Sequence, residues 1–549
     1  VSEPAQDLDE SLTRNFRFLV LEVIKQVSSA ARALEGDDAV EASRLASRDD
    51  YIDHLRTLVE NKCFAVLRRE GDIDKKTVDL LRSTTTITTN LERIADHAVS
   101  AVRQWQRLEP RGFLRHYEVA PFFGAIFASL ELVIEAYEGR DSTKAVQIAQ
   151  GELVLDDLYE NRVERILRDL SATTDDVANL VTALFIFHYL ERIGDCLQNV
   201  GEAVLFAKMG ERLKMRAYRE LSNQLHPSAS VPSLDHVDFR GIWGTRSGSQ
   251  IGRVRSEALD EEEVIFKEGD PRKIRREKEA MERWAGILPG LAPRVLRYQE
   301  GDRASMLVQY LEGQNLQEIV MNEELPVVEH AVRRVTETLA RVWRETREPD
   351  PVKPGFIGQL EARLEAVYTV HPYFEELGQR IGEVEVRGLT ELLETRRHLD
   401  EELEAPFSVL GHGDFNLDNV IFNPKDDSVH FIDLYRSRRM DYVQDVSVFL
   451  VSNFRVPVFR PRRRAPLNRV IELLLAFARD FARAEEDATF EARLALGLVR
   501  SFVSSTRFEI RRSFAEEMLR RAVYLLERLD GTGAELARFR LPRDVLFYG

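Results

Sequence analysis

A six-residue motif that occurs twice constrains this chain more than any other feature. Leu91-Glu92-Arg93-Ile94-Ala95-Asp96 returns as Leu190-Glu191-Arg192-Ile193-Gly194-Asp195, identical at five of six positions with an offset of 99 residues. Each copy falls late in a segment of similar length, so two related three-helix units are expected. The surrounding sequence agrees. Over the first 222 residues proline occurs only as Pro4, Pro110 and Pro121. Apolar residues recur at three- and four-residue spacing, as in Phe16, Leu19, Val20, Val23, Ile24 and Val27, the pattern of a helix with one buried face. Breaks near 36–38, 71–74, 110–112, 139–142 and 171–175 predict about six helices in antiparallel bundles with short loops. Asp74, Ser142 and Ser171 stand where N-caps are expected, because a short side-chain oxygen can accept from the free N–H groups of a first turn.

The texture changes at 223–237, a Pro/Ser-containing stretch that reads as a linker. The expected organisation is an all-α region at 1–222, with repeats at about 8–108 and 115–215. An α+β region follows at 238–549. With 549 residues the chain exceeds one ordinary core. Its formal net charge of -16 argues against general binding to nucleic acid or an anionic membrane. Cys63 and Cys196 sit in helix-like stretches and form no CxxC, as expected of reduced thiols in a cytoplasmic protein. The polar, acidic start of the sequence shows no apolar signal segment. No run of about 18 apolar residues is expected to span a membrane, and the apolar stretch 177–190 is too short.

In the second region short strands are expected at 253–258, 264–267, 294–299 and 304–310, with a helix over 271–284. Helices dominate after Glu329, except for a strand-like island at 409–433. That island holds the densest chemical signal: His412-Gly413-Asp414-Phe415-Asn416-Leu417-Asp418-Asn419, then Val429-His430-Phe431-Ile432-Asp433. A carboxylate, an amide five residues on, and a second carboxylate after an apolar strand supply what phosphoryl transfer to a hydroxyl needs. Asp414 can accept the hydroxyl proton. Asn419 and Asp433 offer hard oxygen ligands to Mg²⁺ on ATP.

On these residues the chain resembles the aminoglycoside phosphotransferase/choline-kinase family over roughly 238–549. The resemblance implies a bilobal, protein-kinase-like α+β domain, with an N-lobe at about 238–312 and a C-lobe at about 313–549. It implies ATP and Mg²⁺ as cofactors and a small-molecule alcohol as acceptor. It makes His412 structural and Asp445 an anchor of the catalytic loop. Lys267, at the end of Val264-Ile265-Phe266-Lys267, would hold the ATP phosphates, with Glu277, or as second choice Glu279, as its ion-pair partner. Backbone groups from Gln309 to Leu311 would meet adenine, and the glycine-containing stretch 244–252 would cover the phosphates. Arg436, Arg438, Arg439, Arg455, Arg460, Arg462, Arg463 and Arg464 crowd the sequence after Asp433. They suit either an anionic, already phosphorylated acceptor or a solvated basic surface.

Glu92 and Asp96 share one helix face, as do Glu191 and Asp195, and like charges at this spacing repel. A salt-bridge network through Arg93 and Arg192 answers that; so does a cation. The doubled Glu-Arg-Ile-x-Asp motif resembles the PhoU family of phosphate-signalling regulators over roughly 8–215. That resemblance implies two PhoU-like three-helix bundles and a phosphate-signalling or transporter protein as partner. It also implies iron or zinc at Glu92, Asp96, Glu191 and Asp195, with Asp50, Asp53, Asp157 and Glu160 as further ligands. His97 follows the first motif; Cys196 replaces it in the second.

Two functions are open on the sequence. One is a phosphotransferase tuned by the helical half. The other is a nucleotide-sensing regulator of phosphate uptake that docks on a partner without turnover. A protein kinase is disfavoured, because no Ala-Pro-Glu segment follows Asp433.

Overall fold

The computed structural model describes residues 10–36, 45, 49–68, 73–172, 175–227, 234, 237–242, 250–259, 263–375, 379–381, 383–529 and 534–547. Packing divides the chain into two compact units: Val1–Gly269 with Ser305–Leu307, and Asp270–Ala304 with Val308–Gly549.

The first unit begins with helices α1 (Glu10–Gly36), α2 (Asp49–Leu67) and α3 (Lys75–Trp105). A second set follows: α4 (Ala120–Leu130), α5 (Val133–Gly139), α6 (Ser142–Ala172) and α7 (Val177–Met209). The two helices that carry the repeated motif, α3 and α7, pack along each other. Leu91 and Ile94 in α3, and Leu190 and Ile193 in α7, are fully buried, so the apolar positions of both motif copies build the core. Asn199 donates to Asn90 at 3.2 Å across this contact. Helices α6 and α7 approach closely: a Cβ on Gly201 would stand 2.4 Å from the Ala145 carbonyl oxygen, and one on Gly194 would stand 3.2 Å from Glu152 Cα. This explains glycine in the second motif copy where the first has Ala95.

Three expectations are corrected here. Asp74 does cap α3, accepting from Thr77 N at 2.8 Å. At α6, however, the cap is Asp141, not Ser142: its carboxylate accepts from Thr143 N and Lys144 N at 2.9 and 3.1 Å. Ser171 lies inside α6, its hydroxyl donating to Leu167 O. The expected six helices are divided further, between α4 and α5 and again after Met209, where Gly210 closes α7 at φ 70°. The stretch Ala120–Gly139 passes for a membrane span by length and composition alone. It is two helices, α4 and α5, both packed on α1 and α6, and 44% of its most apolar window is buried.

After α7 comes α8 (Met215–Leu225), then strands β1 (Val237–Gly241), β2 (Gln250–Ser256) and β3 (Val264–Gly269). The strands pair antiparallel, with Ile251 opposite Lys267. Gly252 is required: a Cβ there would stand 2.1 Å from the Phe239 ring. α8 lies on β3. Arg216 meets Glu268 at 3.3 Å, and Gln224 donates to Ser305 Oγ at 2.9 Å. These ties are why packing groups β1–β3 with the helices.

The second unit starts with α9 (Pro271–Ile287), capped by Asp270, which accepts from Lys273 N at 3.1 Å. β4 (Val295–Glu300), β5 (Ala304–Gln309) and β6 (Gln314–Asn315) follow. These elements match the predicted strands and helix to within a few residues. Then come α10 (Leu325–Glu345), α11 (Phe356–Val370), β7 (Val409–Gly411), β8 (Val420–Asn423), β9 (Ser428–Phe431) and β10 (Arg438–Met440). The unit ends in a helical layer: α12 (Val443–Arg455), α13 (Pro461–Ala484), α14 (Phe490–Thr506) and α15 (Arg512–Arg528). Two small sheets rest on α10, one ordered β9-β8-β6 and one pairing β7 with β10. Arg493, fully buried in α14, meets Asp441 at 2.5 Å and also pairs with Asp487. Asp441 in turn accepts from Val443 N at 3.0 Å, which fixes the start of α12. A buried charge set of this kind holds only when every member is paired.

Candidate active site

The two small sheets frame one loop, residues 412–419, between β7 and β8. Asp445, fully buried in the first turn of α12, holds it from below. Its two carboxylate oxygens accept from His412 N at 2.7 Å and Gly413 N at 2.8 Å. His412 is fully buried too. Asp414 N lies 3.3 Å from its Nδ1, so Nδ1 is the acceptor and Nε2 carries the proton, donated to Ile432 O at 3.0 Å. His412 therefore ties the loop to the strand that ends at Asp433. Gly413 adopts φ 80°, and a Cβ there would stand 2.6 Å from Arg436 O. Only glycine lets the loop turn against that carbonyl.

The remainder of the loop positions two oxygen-bearing side chains. Asn416 Oδ1 accepts from Asp418 N at 2.9 Å and Asn419 N at 3.2 Å, forming a short 3₁₀ turn. Asn419 Nδ2 donates to Asp414 O at 2.9 Å. Its Oδ1 is thereby the end left for a cation. Asp433 sits in the left-handed region at φ 62°, a costly conformation for a non-glycine residue that typically marks functional positions. A hard divalent cation fits this donor set of one amide and one carboxylate oxygen. Asp414 Oδ2 lies 3.2 Å from Arg436 Nη1. Behind the loop, Trp284 donates to Ser437 Oγ at 2.7 Å and Ser437 donates to Gly411 O at 2.8 Å. Trp284 and Phe431 pack edge to face. Full burial of such a ring stabilises the fold by about 2–3 kcal/mol.

Lys267 is buried in β3 and Glu277 is buried in α9, both as charged groups that require pairing. Leu311 is buried. Gln309 N donates to Arg294 O at 2.9 Å, so this N–H is already committed within the second unit. Most of the 244–252 stretch lies outside the described residues.

The arginine run does not act as one patch. Arg460, Arg462 and Arg463 are exposed. Arg464 turns inward and donates to Val456 O and Phe454 O. Arg439 pairs with Glu348 at 2.5 Å. Arg436 does reach the loop, 3.2 Å from Asp414. The residues that join it were missed: Arg363 of α11, and Arg500 and Arg507 at the C-terminal end of α14. Arg500 and Arg507 are seven apart and so share a helix face. That spacing was a readable signal, but nothing local pointed it at Asp414.

In the first unit, Arg192 bridges the second motif, lying 2.6 Å from Asp195 and 3.6 Å from Glu191. Asp53 pairs with Arg56 at 2.6 Å, and Asp157 and Glu160 are exposed. The carboxylates that join Asp195 are instead Glu152 and Asp156, which sequence reasoning missed. Burial first, then Asp156 and Asp195, push the Glu152 carboxyl up to about 7. Among the described residues no group of three or more His, Cys, Asp or Glu is arranged to hold a metal ion. The iron or zinc expected at Glu92, Asp96, Glu191 and Asp195 therefore finds no such group, and Arg192 does the neutralising in the second motif.

Comparison with known proteins agrees with both sequence resemblances. Residues 254–497 match the family described as "Phosphotransferase enzyme family", and residues 19–104 and 124–204 match "PhoU domain". A phosphate-specific transport system accessory protein PhoU homolog of Clostridium acetobutylicum is 27% identical over 195 residues, covering 35% of this chain and 88% of that protein. Its counterpart in Pseudomonas aeruginosa is 24% identical, covering 34% and 78%. Among solved structures, PhoU from Pseudomonas aeruginosa covers 37% of this chain and 97% of its own, at 22% identity and TM-score 0.34. Choline kinase from Cryptosporidium parvum covers 54% and 91%, at 11% identity and TM-score 0.37. The chain thus joins a PhoU-family region in its N-terminal half to a region of the phosphotransferase enzyme family in its C-terminal half.

Proposed function

We propose that this chain is an ATP- and Mg²⁺-dependent phosphotransferase acting on the hydroxyl of a small molecule, cytoplasmic, and regulated through its PhoU-family half. The functional domains are proposed to run over 1–222 and 238–549, joined at 223–237. The observation that carries the reading is the loop geometry. Asp445 and His412 pin the backbone, so Asp414 and Asn419 are held without help from substrate. Such preorganisation is the main protein contribution to phosphoryl transfer.

In this reading Asp414 takes the acceptor's hydroxyl proton. Asn419 and Asp433 hold Mg²⁺, which when bound neutralises charge on the ATP phosphates. Lys267, with Glu277, serves the same phosphates, and Leu311 serves adenine. The helical half links activity to phosphate status through a transport or signalling partner. The second reading, a nucleotide-sensing regulator without turnover, draws support from the Arg436–Asp414 ion pair, which occupies the base in the free protein.

The test is ADP release by the full-length protein with ATP and Mg²⁺ across sugars, inositols, amino alcohols, nucleosides and their phosphates, with Asp414→Ala as control. Acceptor-dependent release lost in the variant upholds the enzyme. Tight nucleotide binding with no release on any acceptor shifts the weight to the regulator.

A further inference from the structure

Asp414 lies in the field of four guanidinium groups. Arg436 pairs with it directly at 3.2 Å. Asp414 also acts electrostatically on Arg363, Arg500 and Arg507. The arginines repel one another in every pairing: Arg363 with Arg500, Arg507 and Arg436, and Arg436, Arg500 and Arg507 among themselves. One carboxylate cannot balance four such groups, and Asp433, which also acts on Arg436, is the proposed magnesium ligand.

The cluster is built into the fold. Arg500 is only 6% exposed. It donates to Gln359 Oε1 at 3.0 Å and to Ser501 Oγ at 3.2 Å. The Gln444 amide, turned to satisfy both sides, places its oxygen 2.5 Å from Arg500 Nη2. After these neutral partners are counted, Arg500 Nε and Arg363 Nη1 remain buried with no hydrogen-bond partner among the described residues. Burial, then Arg363, lower the Arg500 guanidinium to about 9, so it is still charged near neutrality. A structural ion pair would supply a carboxylate of its own here; among the described residues the acid that acts on Arg363, Arg500 and Arg507 is Asp414 itself. Buried donors with surplus positive charge, beside the base, describe a subsite awaiting an anion.

We propose that Arg363, Arg436, Arg500 and Arg507 form the anion subsite of the acceptor pocket, so that the alcohol phosphorylated by this chain already carries a phosphomonoester. This rests on the phosphotransferase reading above. The acceptor oxygen bonds to the γ-phosphorus of ATP, the bond from that phosphorus to the ADP oxygen breaks, and the hydroxyl proton passes to Asp414. The acceptor's own phosphate draws Arg436 from Asp414 and frees the base as it binds. The product carries two phosphate groups.

The test uses the full-length protein in two arms. In the first, calorimetry follows inorganic phosphate binding to protein loaded with Mg²⁺ and AMP-PNP. Saturable binding is expected, weakened at least about tenfold in Arg363→Gln and in Arg507→Gln, with nucleotide affinity unchanged. Both substitutions lie far from the PhoU-family half in sequence, so phosphate bound there is unaffected by them. In the second arm, ADP release compares matched pairs: glycerol with glycerol 3-phosphate, ribose with ribose 5-phosphate, inositol with inositol 1-phosphate, and the cations choline and ethanolamine. Phosphorylated members are expected to lead by at least roughly a hundredfold in kcat/KM, since a neutral alcohol leaves the buried donors unpaired. Phosphate binding equal in wild type and both variants overturns the proposal. So does a preference for neutral or cationic alcohols, which leaves the kinase reading intact. Failure to bind Mg²⁺ and AMP-PNP at all overturns the kinase reading itself.

Discussion

The two halves of this chain each gather like charges, and they relieve them in opposite ways. In the helical half, Glu152, Asp156 and Asp195 crowd one site, and the crowding raises Glu152 to about 7. A carboxylate can take up a proton, so the cluster relieves itself near neutral pH. In the C-terminal half, Arg363, Arg436, Arg500 and Arg507 crowd Asp414. Guanidinium groups hold their protons, even at the lowered value of about 9 for Arg500. This cluster cannot neutralise itself and must take an anion from outside. A third group, Asp445, needs neither remedy, because two backbone N–H groups satisfy it. Like-charge crowding is therefore informative about ligands mainly when the residue type cannot titrate.

The comparison can be broken most severely at the base. Asp414→Ala is expected to lower acceptor-dependent ADP release by roughly 10²–10⁴-fold, the range for losing a general base. Calorimetry should show nucleotide affinity within about threefold of wild type, the signature of a group that acts in the transition state. Next comes Asp445→Asn. An amide presents one acceptor where the loop needs two, leaving a buried N–H unpaired at a cost of about 1–3 kcal/mol. Thermal unfolding should fall by several degrees and turnover should fall with it. Equal stability and turnover would show that the loop holds itself.

Glu152→Gln tests the self-relieving cluster. The carboxyl of Glu152 rises from its ordinary value of 4.5 to about 7 in the fold. The ionised form is thus the disfavoured one, and the unfolded chain binds fewer protons between those values. Stability is fully present below about pH 4.5 and is lost as pH rises through 7. The substitution should stabilise the protein above pH 7 by up to about 3 kcal/mol and change little at pH 4.5. Denaturant midpoints at the two pH values decide it; an equal shift at both would show that the charge is not the cause. The smallest effect is expected at Arg192→Gln, whose exposed bridge to Asp195 contributes less than about 1 kcal/mol. Its sharper readout is the Glu191 titration: burial raises that carboxyl and Arg192 holds it down, so removing Arg192 should move the midpoint further up.

Much of the fold was legible because its signals are local. Helical periodicity, the Asp74 cap and the strand that carries Lys267 depend on neighbouring residues. The caps at Ser142 and Ser171 failed for the same reason. Asp141 stood one residue earlier and presents a carboxylate, a stronger acceptor than a hydroxyl, and packing carried α6 past Ser171. Apolar content alone does not distinguish a lipid-facing helix from a bundle helix, and the apolar stretch Ala120–Gly139 breaks near Glu131 into two packed helices.

The loop from His412 to Asn419, with Asp433, was largely legible in the sequence, because its internal hydrogen bonds join residues two to five apart, while its anchor Asp445 comes from α12, 32 and 33 residues on. The anion cluster was decided only by tertiary structure. The linear arginine run pointed mostly to residues outside the cluster: Arg464 satisfies carbonyls, Arg439 pairs with Glu348, and Arg460, Arg462 and Arg463 face solvent. Arg363 and Arg500 lie on helices far apart in the chain and meet because α11 packs on α14. Charge density along a sequence fades within a few residues, whereas helix packing brings guanidinium groups within Coulomb range whatever their separation in the chain.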